Sequence, residues 1–294
     1  MRHRYFVTGR KNKGASMNKL LTTLFAVALL SGCGQSEQPA EAPAAPQASE
    51  VAEAIAPSAP QASEVAEAIA PSAPLNVPVV DYVWNSTAEG MTDEQFADIV
   101  TRWNARIDAG GYDMTGSNVL RPQFETDDYD FIWVLLWPSM EARDLAWADW
   151  NANQLEEWTA ELNGALSYNA ENVYTFSPGA GRDSAVSRTP EGGTFIPSFD
   201  FCNFNEGYDQ ASLDGFRADY DASLDAEPSS DYGYYIMEPQ FDLQDADFVW
   251  LDLFTDEAAA QSGADSWNGS ALQAQWNEMV NCQNFTFAAT AIRR

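Results

Sequence analysis

Between Arg121 and Trp137 the chain reads RPQFETDDYDFIWVLLW, and between Glu238 and Phe254 it reads EPQFDLQDADFVWLDLF. Both stretches open on Pro-Gln-Phe, pass an acidic turn and close on aromatic and aliphatic residues, at an offset of 117 positions (238 − 121). Phe131 to Trp137 is apolar throughout, which predicts a strand buried on both faces. The offset continues upstream, where Phe96, Ile99, Trp103 and Ile107 match Leu213, Phe216, Tyr220 and Leu224. Spacings of three and four mark the apolar stripe of an amphipathic helix. Thr92 and Gln95 form a capping-box pattern ahead of it, and Gly110-Gly111 would stop it.

Downstream, Ser139 and Asp256 stand at matching positions as N-caps of a second helix. A break is expected at Asn151-Ala152-Asn153 and at Asn268-Gly269-Ser270, with Asn153…Glu156 and Ser270…Gln273 capping a short restart. Each copy opens on a strand (Val79 to Asn85, Thr194 to Cys202) and closes on one (Val173 to Phe176, Phe285 to Thr290). The order β-α-β-β-α-β is ferredoxin-like. One such unit leaves a sheet face bare, and a second can cover it. The pattern resembles the dimeric α+β barrel superfamily. That resemblance implies an α+β fold in which two tandem ferredoxin-like repeats, residues 76–180 and 192–294 with a connector at 181–191, close an intramolecular barrel. A barrel closed within one chain implies a monomer. Pro122 and Pro239 fall in the second strands, so closure requires them at non-bonding positions.

The N-terminus is of a different kind. The first 33 residues hold no Asp or Glu, and from Met17 a basic start leads to an apolar run, Leu20 to Leu30. That run is too short to span a bilayer and reads as an export signal over 1–32, with Met17 the expected start. Leu30-Ser31-Gly32-Cys33 resembles the lipobox of bacterial lipoproteins. The resemblance implies diacylglycerol and acyl chains on Cys33 and, with Gly34 following, anchoring at the outer membrane. Residues 33–75 form an Ala/Pro-rich linker in which APQASEVAEAIAPS occurs twice, from Ala45 and from Ala59. It has too little to bury and reads as a spacer.

All 44 acidic residues lie beyond Cys33, with nine Arg and no Lys, so the processed chain carries 9 − 44 = −35. Such a charge excludes nucleic acid and anionic membrane surfaces as partners and suits a solvated surface in saline surroundings. The acidic turns at 125–130 and 242–247 lack the glycine and distal Glu of a calcium loop, and no metal is expected.

Cys202 and Cys282 remain after lipidation. In the ferredoxin-like order they fall at the end of the first strand and just before the fourth, which are antiparallel neighbours. Export then predicts a disulfide closing 80 residues (282 − 202).

Strand alternation supplies the candidate site. With Ile132, Val134 and Leu136 toward the helices, Trp133 and Trp137 would enter the barrel interior opposite Phe248, Trp250 and Asp252. Asn85, Asp200, Thr175 and Thr286 would share that face. The implied lumen suits a small hydrophobic or aromatic ligand. Asp252, in the place of Leu135, is the strongest anomaly, a carboxylate in an apolar strand that calls for a partner such as Arg121.

Haem enzymes of the superfamily, such as chlorite dismutase and dye-decolourising peroxidase, need a proximal histidine, whereas the sole histidine here is His3. Cofactor-free oxygenases of the antibiotic-biosynthesis type work with Asn, Trp, Tyr and Arg. Asn85, Trp133 and Arg121 can be drawn into such roles, though no motif compels it, Asp252 is a candidate acid or base by its own position, and no cofactor is expected. The expectations are an envelope lipoprotein binding a ligand in the lumen, a cofactor-independent monooxygenase or isomerase using the same lumen, or a structural envelope protein with a packed barrel.

Overall fold

The computed structural model describes residues 77–294, apart from the side chains of 169–171. The export signal, Cys33 and the linker lie outside these residues. The first half runs β1 (Val79–Thr87), α1 (Asp93–Gly110), β2 (Gly116–Pro122), β3 (Phe131–Trp137), α2 (Met140–Asp149), α3 (Leu155–Leu162) and β4 (Leu166–Arg182). The second runs β5 (Thr194–Phe204), α4 (Gln210–Ala226), β6 (Tyr232–Pro239), β7 (Phe248–Phe254), α5 (Glu257–Trp267), α6 (Ala271–Met279) and β8 (Val280–Arg293). Eight antiparallel strands close a barrel in the order β1-β3-β2-β8-β5-β7-β6-β4, with β2–β8 and β4–β6 joining the halves. This is a mixed α+β fold. Among the described residues no helix is long and apolar enough to cross a membrane.

Local chemistry sets the element ends. Thr92 and Gln95 form the capping box on α1, and Gly111 ends it in the left-handed region at φ 65°. Ser139 and Asp256 cap α2 and α5 through the Ala142 and Ala259 amides. The expected break at 151–153 is instead a π-helical turn, Trp150–Gln154, and Asn153 caps nothing. In the second half the break is real: Gly269 takes φ 77° and Ser270 caps α6. The closing strands are longer than their apolar cores, β4 starting at Leu166 and β8 at Val280. The acidic turns spend their last aspartates on neighbouring strands. Asp130 accepts from the Thr87 amide and hydroxyl, and Asp247 from the Phe204 amide.

The prolines sit where closure tolerates them. Pro122 faces Phe287 and Pro239 faces Phe176, while the ladder bonds come from the next residues, Gln123 to Thr286 and Gln240 to Thr175.

The faces are the reverse of the expected parity. Ile132, Val134 and Leu136 point into the barrel, where Tyr82 meets Phe176 and Phe199 edge-on at 5.8 and 5.4 Å. Trp133 and Trp137 lie under the helices of their half, with Phe131 edge-on to Phe96 at 5.0 Å and Trp133 4.9 Å from Trp103. Phe248 and Trp250 do the same in the second half, against Phe216 and Trp276. Both faces of β3 are apolar, so alternation could not choose between them. An eight-stranded barrel is just wide enough for side chains to fill. Its interior takes mainly aliphatics, Phe and Tyr, with Trp84 beside Tyr129, and the indoles of β3 and β7 go where α1 and α4 bring matching rings.

The disulfide forms as expected. Cys202 and Cys282 are directly paired across β5 and β8, with Cα atoms 4.1 Å apart and Cys202 fully buried. Closing 80 residues constrains the unfolded chain by about 4–5 kcal/mol in the chain-entropy model. Thiol titration of the unreduced, denatured barrel is expected to find neither cysteine reactive. A paired Cys202→Ala, Cys282→Ala variant is expected to lose roughly 2–5 kcal/mol of unfolding free energy in urea.

Candidate functional site

The first half holds a cavity of about 80 Å³ between its sheet and its helices, room for about three waters at liquid density. Six of the ten tryptophans line it: Trp103, Trp133, Trp137, Trp147, Trp150 and Trp158. Val83, Leu135 and Leu162 add aliphatic wall, while Asn85, Tyr112 and Tyr168 bring polar heads. Tyr112, Met114, Trp147 and Tyr168 are only half-buried and form the solvent side, whereas the other five indoles are buried. Two irregularities shape the wall. The π-helical turn carries Trp150 inward, a device common at functional sites. The β1–β4 ladder jumps from Val83↔Val173 to Asn85↔Tyr168, placing both Asn85 and Tyr168 at the cavity.

Asp81 anchors this wall from below. It is fully buried and accepts four hydrogen bonds: Trp137 Nε1 (3.0 Å) and Trp147 Nε1 (2.7 Å) on one oxygen, Arg143 Nε (2.8 Å) and Thr175 Oγ1 (2.6 Å) on the other. A buried charge needs this kind of pairing and satisfaction. Two wall indoles thereby have fixed orientation. Trp133 Nε1 bonds Ser117 Oγ at 3.0 Å, and the Tyr112 hydroxyl bonds Asp149 at 2.6 Å. Burial raises the Tyr112 phenol above its usual range, helped by the Asp149 hydrogen bond, and burial raises Tyr168 too. The Tyr112 bond in turn lowers Asp149.

In the second half a tyrosine enters the corresponding layer. At the position of Ser117 stands Tyr234, fully buried and stacked on Trp250 at 4.2 Å with planes 8° apart. Its carboxylate lies on another strand. Asp252 accepts from Tyr232 Oη (2.7 Å) and Trp250 Nε1 (2.8 Å), and Tyr220 Oη donates to Tyr232 Oη. Burial pushes Asp252 up to about 7; the Tyr232 bond works against that shift, and the charge of Asp200 adds to it. Asp200 is itself raised by burial and receives Asn284 Nδ2 at 2.8 Å.

The expected site residues are thus not gathered in one place. Asn85, Trp133 and Trp137 meet at the first-half cavity, on the helix side of the sheet rather than in the lumen. Phe248 and Trp250 belong to the second-half core, with Asp200 and Asp252 on the same helix-facing side. Arg121 does not pair with Asp252; its guanidinium lies 4.7 Å over the Phe96 ring in the other half. Asp81, Tyr112, Trp147, Trp150 and Trp158 were missed. A lone charge in VVDYVW was a usable sign for Asp81, and so was the crowding of six tryptophans between 103 and 158.

Topology and cavity together define a single-chain α+β barrel with an aromatic cavity under its first half. No protein-family model matches the chain, and no curated protein does. Solved structures resemble it at TM-scores below 0.5. A chlorite dismutase variant from Candidatus Nitrospira defluvii is 8% identical at a TM-score of 0.46, over 73% of this chain and 90% of that one. A Fusobacterium nucleatum protein assigned as a monooxygenase is 8% identical at 0.47, over 74% and 94%. An anthrone oxidase-like protein is 12% identical at 0.44, over 74% and 91%.

Two outcomes follow from the carboxylates. Asp81→Ala strands the Arg143 charge and the donors of Trp137, Trp147 and Thr175, and is expected to cost about 3–5 kcal/mol in urea unfolding. For Asp252, the folded state holds its proton up to about pH 7, whereas the unfolded chain releases it near its ordinary value. Stability from this group is therefore full below about pH 4 and declines as pH rises towards 7. Asp252→Asn removes that decline. Its melting temperature relative to the parent is expected to rise between pH 4.5 and 7.5 and level off above; a pH-independent difference would contradict the assignment.

Proposed function

We propose that the chain is an outer-membrane lipoprotein, anchored through acylated Cys33 and spaced from the membrane by the Ala/Pro-rich linker. Its barrel binds one small, partly apolar ligand in the first-half cavity. The two halves are read as tandem copies of one unit, of which the first has kept an opening that the second has filled. The observation that carries the reading is this contrast: a cavity lined by six indoles in one half, and a tyrosine stacked into the matching layer of the other. Small-molecule sites are concave, mostly apolar and few per protein, with a small number of placed polar groups. Asn85, Tyr112 and Tyr168 fill that last role.

A cofactor-independent oxygenase or isomerase in the same cavity would need a group there to take a proton from its substrate. The polar heads at the wall are an amide and two phenols raised by burial. Binding without turnover is therefore favoured, and the Trp133 and Asn85 positions are read as wall and anchor.

Native mass spectrometry of protein purified from its host is expected to show a small molecule travelling with the barrel. Titration with indole or phenol is expected to change tryptophan fluorescence saturably. Ala146→Leu, which adds carbons at the cavity wall, is expected to weaken that binding at least tenfold with cooperative unfolding retained. Absence of both a co-purified molecule and saturable binding would end the reading.

A further inference from the structure

We infer that the first-half cavity receives a quaternary ammonium group, the trimethylated head of a small organic cation. This rests on the reading of the cavity as the ligand site and specifies the chemistry of what enters it.

The wall is rich in π faces, and several of its donors are already committed. Trp137 and Trp147 give their N–H groups to Asp81, Trp133 gives its own to Ser117, and Tyr112 gives its O–H to Asp149. The Asn85 amide N–H is turned back on the Val83 carbonyl at 2.8 Å. A ligand that must accept hydrogen bonds finds these donors committed. One that must donate several, as a primary ammonium or guanidinium does, finds few acceptors. A quaternary ammonium needs neither. Its charge is spread over methyl groups, and it is held by aromatic faces, best by indole.

The electrostatics run the same way. A carboxylate accepting from an indole N–H or a phenol O–H pushes electron density into that ring and deepens its negative face. Trp137, Trp147 and Tyr112 are all bonded in this manner. Arg143 balances Asp81, but Asp149 meets only the neutral donors Tyr112 and Asn153 among the described residues. Among the described residues no Arg lines the cavity: Arg106 stands outside it, engaged by Glu157 and Glu161. That same Arg106 already lies 5.9 Å from the Trp158 centroid, a cation resting on an indole of this wall. The rings are also set as a box rather than a pile. Trp103 and Trp133 meet at 55°, Trp150 and Trp158 at 66°, and Tyr112 and Trp150 at 60°. The second half also sets rings edge-on, Trp250 and Trp276 at 77°, but there Tyr234 lies flat on Trp250.

The test compares choline with 3,3-dimethyl-1-butanol, its neutral carbon isostere, on the intact barrel at fixed ionic strength, using tryptophan fluorescence and calorimetry. Choline is expected to bind saturably and at least tenfold more tightly than the isostere. Trp158→Leu and Ala146→Leu are each expected to weaken choline at least tenfold, with far-ultraviolet circular dichroism unchanged. Equal affinity for the two compounds, or choline binding untouched in both folded variants, would overturn the inference. If indole or phenol binds and choline does not, the cation is excluded while the cavity remains a ligand site. If none of them binds, both readings fall. Should either variant misfold, the comparison on the parent protein decides alone.

Discussion

An apolar sheet face cannot be left in water, and this constraint organises the molecule. Four strands with helices on one side expose a second face carrying residues such as Tyr82, Ile132 and Val134. The second half offers an equally apolar face, and Phe199, Val249 and Leu251 complete a common interior. Once the faces meet, the strand edges must pair as well, and β2–β8 and β4–β6 do so with the prolines at positions that need no donor. Filling the barrel in this way leaves the helix side of the sheet as the place where a cavity can persist.

The halves then differ in how they treat that layer. The first places a small residue, Ser117, beside Trp133; the second places Tyr234 flat against Trp250. Their carboxylates differ in the same spirit. Asp81 has Arg143 as counter-charge and three neutral donors. Asp252 has only the neutral donors Tyr232 and Trp250, with Asp200 adding like charge, and so its proton is held far above the usual carboxylate range.

The π-helical turn at Trp150–Gln154 shows how a small backbone change serves the site. The second half ends α5 and restarts at Ser270 after Gly269. The first half has no glycine there, only Asn151-Ala152-Asn153, and the helix absorbs the irregularity by widening one turn. That turn keeps α2 and α3 continuous and brings Trp150 and Trp158 to the same cavity, edge-on at 6.2 Å.

Much of the architecture was written along the chain. Helix stripes at three and four, the Thr92 capping box, the doubled strand sentence and the positions of Cys202 and Cys282 are local or periodic signals, and they specified element order and the cysteine pairing, while the barrel was implied by the resemblance that this order carries. Where each strand points was not written there. Phe131 to Trp137 is apolar on both faces, so a one-residue choice of phase carries no penalty that periodicity can register. Only packing resolved it, by setting Trp103 and Phe96 of α1 against Trp133 and Phe131. The cavity belongs to the same category. It depends on the space left between Ser117, Trp133 and a widened helical turn, and such a volume arises from elements far apart in the chain.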